Sequence, residues 1–400
     1  MGVLNEKRCK GTHKIPHSKD IFLEYSKIGA YFNAYTSKRY TCYTVKCQSN
    51  YIFNCLNILS DMLMNSIFNK KEYEKEEKVI IEENNNNDNN PDSIINNQFE
   101  QMLYKGSSYE FPIDSLEYHT KRTLQYDDII NFYKSFYHPS NMILSVVSDI
   151  QFKDIEKIIN KTIFTKNIRF KKPSIFPVIN HGLIEQSEIQ YKLIEKRGIT
   201  NIHLNIGFRT CGRRSCDKFA LNILSIIMGS GLSGRLIMLL RERKGLVYGA
   251  YTSIDYNEFS GNFTFYTKTK RSNLLNHNEK EGVLQLMIKI IKEMIENGIT
   301  QQELETAKGN FKGKSIIKLQ DIVTQTKYNG EYVLMGDVEK NYIVSYKDIF
   351  DKYIRDLTLE DIHKIIKLYF ISKNMCICIL SEKLPSLEII KKECEKMIPI

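Results

Sequence analysis

Histidines are the first candidates for chemistry, because imidazole is the commonest metal ligand in proteins. His13 and His17 are four residues apart, the spacing that places two side chains on one face of a helix. Pro16 lies between them and argues against a helix, so both are predicted to be surface or loop residues. The other six stand singly and form no ligand spacing: His119, His138, His181, His203, His277 and His363. His138 precedes Pro139 and is most simply a turn residue.

Carboxylates are concentrated in one stretch of the first half. Six glutamates fall within twelve residues: Glu72, Glu74, Glu76, Glu77, Glu82 and Glu83. Taken alone, such a stretch is typical of a helix face in solvent. A metal-binding role therefore needs support from the surrounding sequence.

A glycine-rich segment runs from Gly229 to Gly234 and matches G-x-G-x-x-G, with Asp255 about twenty residues further on. In a dinucleotide site this motif follows a strand. Here the preceding Asp217 to Met228 has apolar residues at helical spacing. The glycines are therefore predicted to allow a tight turn between two helices, and a dinucleotide site is not predicted.

Composition restricts the class of protein. The chain has 400 residues and 42% hydrophobic content, which is enough for two domains with apolar cores and excludes a disordered or fibrous protein. The formal charge is +10, but the basic residues are spread along the chain and form no dense basic arm, so a nucleic-acid surface is not predicted. Strong salt-dependent DNA binding would be the observation that favours that class.

The nine cysteines are odd in number, irregularly spaced and mostly in apolar settings, such as Cys376 and Cys378. This pattern predicts buried thiols in a reducing compartment. No run of about 18 apolar residues exists, and the N-terminus lacks a secretory signal, with Glu6 where N-myristoylation needs Ser or Thr. We expect a soluble, intracellular protein without a membrane span, with a mitochondrial and a cytoplasmic location both open.

The chain contains an internal repeat. Residues 124–149 align with residues 357–382 at a constant offset of 233 without a gap, and seven of 26 positions are identical. Each copy reads as an amphipathic helix, a short polar turn and an apolar strand ending in a carboxylate. Thr358 and Asp361 form a capping box at the start of the second helix.

The segments before each copy also correspond. A strand (Tyr40 to Cys47; Gly261 to Thr269) is followed by two helices in series. In the second half the first of these helices covers 282–296 and ends at Asn297-Gly298, and Thr300 with Glu303 caps the next helix. Both halves are therefore predicted to be α+β modules, in which helices cover one face of a mainly antiparallel sheet.

The domain boundaries follow from this pattern. We predict an N-terminal domain over 1–165, a linker over 166–182 that contains Pro173 and Pro177, and a C-terminal domain over 183–400. The asparagine run from Asn84 to Asn90 is low in complexity and closes with Pro91, so it is predicted to be the fraying end of the preceding helix.

Three motifs in order resemble one family. They are Gly29-Ala30-Tyr31-Phe32-Asn33-Ala34-Tyr35-Thr36 with Thr41 and Tyr43, then Gly231-Leu232-Ser233-Gly234-Arg235-Leu236, then Leu240-Arg241-Glu242-Arg243-Lys244-Gly245-Leu246-Val247-Tyr248. Together with the tandem halves they are similar to the pitrilysin/insulinase-type zinc metallopeptidases, or inverzincins, which include the mitochondrial processing peptidase subunits. The resemblance runs from about Lys10 to the C-terminus and implies two like domains facing each other across a peptide chamber.

The resemblance also implies site residues. Such enzymes bind zinc through H-x-x-E-H on a helix, with the glutamate as general base, and through a later glutamate. Glu83 matches that third ligand, and Glu76 matches its second-shell partner.

Further residues are implied to contact the substrate. Asn33, Ala34 and Thr36 resemble the edge strand to which the peptide substrate adds, although an ordinary asparagine turn leading into a strand is the alternative. Arg241 and Tyr248 match the pair that binds the substrate carbonyl, where a guanidinium and a phenol can stabilise an oxyanion. The alternative for Arg241 is a local ion pair with Glu242.

The metal motif itself departs from the family. Counting back from Lys10-Gly11-Thr12 places the two histidine positions at Gly2 and Glu6 and the base at Asn5. Glu6 lies 77 residues before Glu83, about the separation that the family keeps. Glycine offers no ligand and a neutral asparagine accepts no proton, so water activation of the usual kind is not available.

The opening strands of the family's first domain are also not found in the sequence, so the first domain is expected to lack them. Two interpretations stay open. The chain is either a degenerate subunit or a sequence that starts inside a longer gene. The expected function is accordingly that of a zinc metalloendopeptidase acting on extended peptides, or alternatively that of an inactive relative that binds peptides or serves an active partner in a homodimer or heterodimer. Zinc is the cofactor that the resemblance implies, and for this chain both zinc binding and its absence stay open.

Overall fold

A computed structural model describes residues 11–113, 125–165, 181–231, 233–276, 281–337 and 343–395. The first half contains these elements: α1 (Ser18–Lys27), β1 (Tyr31–Thr36), β2 (Thr41–Lys46), α2 (Ile52–Met64), α3 (Lys70–Asn89), α4 (Pro91–Leu103), α5 (Tyr126–Phe136) and α6 (Phe152–Ile159). The second half contains β3 (Gln190–Glu195), β4 (Asn201–Cys211), α7 (Asp217–Met228), α8 (Arg235–Ile237), β5 (Val247–Tyr256), β6 (Ser260–Lys270), α9 (Val283–Asn297), α10 (Gln301–Lys318), α11 (Ile322–Met335), α12 (Tyr346–Ile349), α13 (Leu359–Tyr369), β7 (Met375–Ser381) and α14 (Leu387–Glu395).

The described residues form two compact units. The first consists of those within Met1–Asp88, Phe111–Val178 and Asp321–Leu334. The second consists of those within Asn89–Glu110, Ile179–Gln320 and Met335–Ile400. Each unit thus includes one helix from the other half of the chain: α11 belongs to the first unit and α4 to the second.

In the first unit, β1 and β2 form an antiparallel hairpin with Tyr31 opposite Lys46 and Thr36 opposite Thr41. Its apolar side packs on α1 and α2 through a cluster around the buried side chains Ile21, Tyr25, Cys55 and Met62. The ring of Phe32 stacks on that of Tyr25, with centroids 5.4 Å apart. This packing fixes the position of β1 from one side.

In the second unit, five strands form one sheet in the order β3-β7-β4-β6-β5. β3 and β7 are parallel, and the remaining pairs are antiparallel, as the sequence predicts. β7 is buried at all seven positions. Because side chains alternate between the two faces of a strand, this burial shows that both faces of the sheet are covered. The sequence had predicted helices on one face alone.

The internal repeat is confirmed in its helices. α5 and α13 start and end at the same offset of 233, as do the short 3-10 turns Pro139–Asn141 and Ser372–Asn374. Capping boxes start α10 at Thr300 and α13 at Thr358, as predicted. The predicted strands Tyr40 to Cys47 and Gly261 to Thr269 correspond to β2 and β6.

Two predictions about the first half are wrong. Residues 142–148, predicted as a strand like β7, form none. A strand is defined by its hydrogen-bonded neighbours; β7 lies between β3 and β4, whereas residues 142–148 pair with no strand in the described part of the chain. The asparagine run does not fray, because α3 continues to Asn89 and buries Asn84. Asn90 then caps α4, accepting from the backbone N–H groups of Asp92 and Ser93, and Pro91 takes the first helical position.

The described cysteines agree with the prediction of buried thiols. Cys55, Cys211, Cys376, Cys378 and Cys394 are buried, and none of the eight cysteines in the described ranges forms a disulfide. Within the same ranges, no helix combines the length and the apolar character needed to cross a bilayer. Most of the predicted linker, residues 166–180, lies outside the described residues.

Candidate peptide-binding site

β1 is an edge strand in the described part of the chain, because β2 is the one strand that pairs with it there. Tyr31 at its start is 77% exposed, whereas Ala34 is buried at 2% exposure. The strand is therefore held by its inner side chains while one backbone edge carries no strand. Such an edge can accept an extended peptide through main-chain hydrogen bonds.

Two local hydrogen bonds engage the predicted strand residues. The Asn33 side chain accepts from the backbone N–H of Ala34 at 3.0 Å. The Thr44 hydroxyl of β2 donates to the Asn33 carbonyl oxygen at 3.1 Å. Asn33 therefore lies in a regular hairpin strand, and its side-chain amide is bound to the strand itself.

The outer side chains of β1 meet α11. The ammonium nitrogen of Lys327 lies 4.6 Å from the centre of the Tyr35 ring, a cation–π contact. Burial and the neighbouring Cys42 thiol raise the pKa of Tyr35 above its usual range. Burial also raises the pKa of Glu331, one helical turn beyond Lys327. β1 is thus fixed on both faces, and its backbone edge is preorganised.

Glu76 and Glu83 lie two turns apart on α3, the longest helix of the first unit. Glu76 is half-buried and Glu83 is exposed. Ile80 and Asn84 are the buried side chains of this helix, so the acidic stretch of the sequence is a helix with its apolar contacts on one side. Glu83 therefore lies on the solvent-facing side of α3.

Arg241 and Tyr248 are close together in the second unit. Arg241 lies in the π-helical segment Met238–Arg243 that continues α8, and Tyr248 is the second residue of β5. The guanidinium carbon lies 5.7 Å from the centre of the Tyr248 ring, and Tyr248 is 92% exposed. The local ion pair with Glu242 is also present at 3.5 Å. Both donors face solvent and can reach a carbonyl oxygen.

The glycine-rich segment performs a packing role. The preceding α7 is a helix, as predicted, and not the strand that a dinucleotide fingerprint needs. A Cβ on Gly229 would meet the Thr252 backbone nitrogen at 2.9 Å, and one on Gly234 would meet the Cα of Gly229 at 2.7 Å. The glycines therefore permit a close turn between α7 and α8. Leu232, within this turn, lies outside the described residues.

A polar cluster at the start of α4 was not predicted from the sequence. Asp92 is close to the buried His203 of β4 and accepts a hydrogen bond from Tyr266 of β6. Nothing in the local sequence indicates these contacts, because the three residues are 111 and 174 positions apart. His13 and His17 are exposed, and His138 precedes a 3-10 turn, as the sequence predicts.

Two family profiles match most of the chain. Residues 5–114 match the profile described as insulinase (peptidase family M16), and residues 123–311 match the profile of the peptidase M16 inactive domain. The chain belongs to peptidase family M16. This confirms the resemblance to the pitrilysin/insulinase family.

Relatives within M16 cover most of the chain. An uncharacterised zinc protease of Bacillus subtilis is 28% identical over 329 residues, which is 82% of this chain and 76% of the relative. An uncharacterised zinc protease of Rickettsia bellii is 29% identical over 363 residues, or 89% of this chain and 78% of the relative.

Solved structures show the same fold. The structure of a protease from Helicobacter pylori superimposes with a TM-score of 0.83 at 20% identity and covers 95% of this chain and 88% of that one. A peptidase M16 inactive domain from Pseudomonas fluorescens gives a TM-score of 0.79 at 18% identity, with 94% and 86% covered. The architecture is thus that of M16 proteins, a mixed α and β fold with open sheets.

The described residues of this M16 chain form no site that fits a catalytic zinc ion. Such an ion takes three protein ligands and a water molecule, and the described residues contain no group of three His, Cys, Asp or Glu side chains that could hold a metal. Gly2, Asn5 and Glu6, which the sequence analysis predicts to stand at the family's metal positions, lie outside the described residues. By residue type, Gly2 supplies no donor and Asn5 no base. No catalytic step is therefore derived through zinc.

Proposed function

We propose that this chain is a peptide-binding member of family M16, which holds extended peptides by strand addition to β1 and does not hydrolyse them on its own in the form given by this sequence. The observation that carries the proposal is β1 itself. It is an edge strand in the described residues, packed on its inner side through Phe32 and Ala34 and contacted on its outer side by Lys327.

Strand addition requires little from side chains. A peptide laid along β1 gains main-chain hydrogen bonds at every second residue, each contributing about 1 kcal/mol net. Asn33, Ala34 and Thr36 are the strand residues proposed to contact it. Because the Asn33 amide oxygen accepts from the Ala34 N–H in the structure, its displacement by a peptide carbonyl exchanges one hydrogen bond for another.

Arg241 and Tyr248 of the second unit are proposed to donate hydrogen bonds to a carbonyl oxygen of a peptide, as the resemblance to the family implies. Support comes from their mutual proximity and from the exposure of both donors. In a hydrolysing relative the same two groups would stabilise a developing oxyanion. In this chain their contribution is limited to hydrogen bonds with the ground-state peptide.

A second candidate is a zinc endopeptidase, and the names of the relatives from Bacillus subtilis and Rickettsia bellii favour it. Under this alternative Glu83 would be a zinc ligand, and Glu76 would be the residue that orients Glu83. The imidazole ligands absent at Gly2 and Glu6 and the base absent at Asn5 would then have to come from elsewhere, as in a pair with an active subunit. We also propose the division into domains 1–165 and 183–400 as that of the two M16 halves.

Peptide binding is tested with backbone-methylated probes. A fluorescently labelled, extended nine-residue peptide is titrated with the protein, alongside a scrambled peptide and two versions N-methylated at either odd or even positions. Strand addition uses one set of N–H groups, so one methylated version should bind at least about tenfold more weakly while the other and the scrambled peptide retain binding. Equal effects of both methylation patterns, or none, would refute strand addition at β1.

Hydrolysis is tested in the same samples by mass spectrometry of the unlabelled peptide with and without added zinc. Intact peptide under both conditions is expected. Zinc-dependent cleavage products would instead establish the second candidate, and Glu83→Gln should then reduce cleavage whereas the neighbouring Glu82→Gln should not.

A further inference from the structure

α4 docks on the sheet of the second unit through an apolar stripe and three polar contacts. Ile95, Phe99 and Leu103 are buried against a cluster that includes Cys376 and Cys378 of β7. The polar contacts join facing side chains: Asp92 to His203 and Tyr266, Asn96 to Asn205, and Tyr104 to Asn262. Polar pairs at fixed positions along an apolar stripe specify the register of a helix.

The Asp92 contact, formed by Asp92, His203 and Tyr266, is the titratable part of this interface. The Tyr266 hydroxyl donates to Asp92 Oδ1 at 2.6 Å. His203 Nδ1 lies 3.1 Å from the same carboxylate oxygen and 2.9 Å from the Tyr266 hydroxyl. The His203 side chain is 2% exposed, whereas that of Asp92 is 62% exposed. The carboxylate is therefore in water, and the imidazole is beneath the helix.

We infer that the docking of α4 on the sheet is acid-sensitive, and that protonation of His203 weakens it. The Tyr266 hydroxyl already donates its own proton to Asp92, so both this hydroxyl oxygen and Asp92 Oδ1 can only accept a hydrogen bond from His203. The neutral ring therefore carries its proton on Nδ1. A second proton must then go to Nε2, which has no hydrogen-bond partner among the described residues. The buried imidazolium would then have one carboxylate partner, Asp92, and that carboxylate is solvated.

The charged and titratable groups that face His203 come from three elements. Asp92 of α4 favours the imidazolium, and Lys268, opposite His203 in the β4–β6 register, disfavours it. Tyr266 of β6 remains neutral, because burial and Asp92 raise its pKa above the usual range. Tyr251 of β5, whose ring lies 4.8 Å from that of Tyr266, is neutral for the same two causes. From β7 the residue opposite His203 is Leu380, which carries no charge.

The direction of the pH effect follows from these contacts. Burial lowers the pKa of His203 below the ordinary value of 6.5, and this outweighs the attraction of Asp92. A group whose pKa is lower in the docked state favours docking above its free pKa and loses that contribution as the pH falls. Docking is therefore expected to weaken below pH 6.5, and the loss between pH 7.5 and 5.0 has an upper limit of about 30-fold.

The experiment is hydrogen–deuterium exchange of the α4 amides in the whole chain from pH 7.5 to 5.0, corrected for the intrinsic exchange rate and referred to α7. The wild-type protein should lose protection in α4 relative to α7 as the pH falls. His203→Asn keeps a donor near the position of Nδ1 but does not titrate, so its relative protection should not depend on pH. The exposed His17→Asn is the matched control and should behave as wild type.

A second variant keeps the inference testable if His203→Asn does not fold. Asp92→Asn retains an acceptor for Tyr266 but removes the charge that favours the imidazolium, so its loss of α4 protection at pH 5.0 should exceed that of wild type. A structural role of Asp92 alone would lower protection equally at both pH values. An unchanged ratio in wild type, a pH dependence that persists in His203→Asn, or a smaller loss in Asp92→Asn would each overturn the inference.

Discussion

Gly298→Ala should be among the most damaging small substitutions in this chain. Gly298 ends α9 with φ +67° and ψ −142°, a backbone conformation that costs a residue with a side chain about 1–3 kcal/mol. A Cβ at this position would also lie 1.8 Å from Nε2 of His363 on α13. Forcing that ring aside adds about 1–3 kcal/mol, as overpacking does in cores. We expect a total loss of about 2–6 kcal/mol in the free energy of unfolding.

Two further variants separate the cost of backbone strain from the cost of overlap with the His363 ring. Gly245 has φ +61°, and a Cβ there would meet nothing within 4 Å, so Gly245→Ala measures strain at positive φ without overlap. His363→Ala removes the ring, and with it the weak 3.4 Å hydrogen bond from the Ile299 N–H. In the double variant with Gly298→Ala, the overlap of about 1–3 kcal/mol should disappear, which gives a coupling of that size in a double-mutant cycle.

Urea unfolding followed by far-UV circular dichroism is the suitable assay, because the chain contains no tryptophan. The reasoning would be refuted if Gly298→Ala cost no more than Gly245→Ala, or if His363→Ala and Gly298→Ala were additive. Either result would mean that the His363 ring moves away from the α9 terminus without loss of packing.

Three other predictions concern the second unit. Arg235→Lys should cost about 1.5–3 kcal/mol in urea unfolding, because lysine cannot reproduce the two 2.7 Å bonds that Arg235 makes to Glu303. Burial raises the pKa of Glu303, but hydrogen bonds from Arg235 and Thr300 outweigh this effect and hold the pKa below the usual 4.5. The ionised Glu303 therefore stabilises the fold above pH 4.5, and this contribution is lost as the pH falls further. A pH titration of unfolding should show a smaller loss in Glu303→Gln. Iodoacetamide followed by peptide mass spectrometry should modify the exposed Cys216 in the native protein, whereas Cys376, whose pKa burial raises to about 11, should react only after unfolding.

Local patterns in the sequence predicted the elements that depend on local interactions. The capping boxes at Thr300 and Thr358 and the helices at the 233-residue offset were all predictable, because each depends on residues within a few positions. The strand expected at 142–148 does not form, because its apolar run resembles that of β7 but a strand also needs neighbours from distant parts of the chain.

The asparagine run shows the same limit. Asparagine costs a helix about 0.7 kcal/mol or less per residue relative to alanine, and the sequence therefore suggested fraying. In the structure α3 nevertheless continues to Asn89, packed on the side of the buried Ile80, and Asn90 caps the following helix α4. Low complexity is thus a weak indicator where a helix packs on one side.

For the candidate site, the family motifs identified individual residues but not their surroundings. Asn33 and Ala34 could be named from sequence, whereas the contact between Tyr35 and Lys327 joins residues 292 positions apart and was not predictable. Arg241 and Tyr248 were named as a pair, and so was the ion pair of Arg241 with Glu242; the structure adds that the Arg241 and Tyr248 side chains are adjacent.

The exchange of helices between the halves explains why the polar clusters were the hardest features to predict. α4 and α11 occupy corresponding positions in the repeat, and each packs within the compact unit formed mainly by the other half. Their contacts with Tyr266 and Tyr35 therefore join residues far apart in sequence. Polar groups such as Asp92 specify the register in which such a helix docks. In the local sequence, however, Asp92 is indistinguishable from any acidic residue in the first turn of a helix. Acid-sensitive exchange confined to α4 would show that such a group also controls the stability of the docked helix.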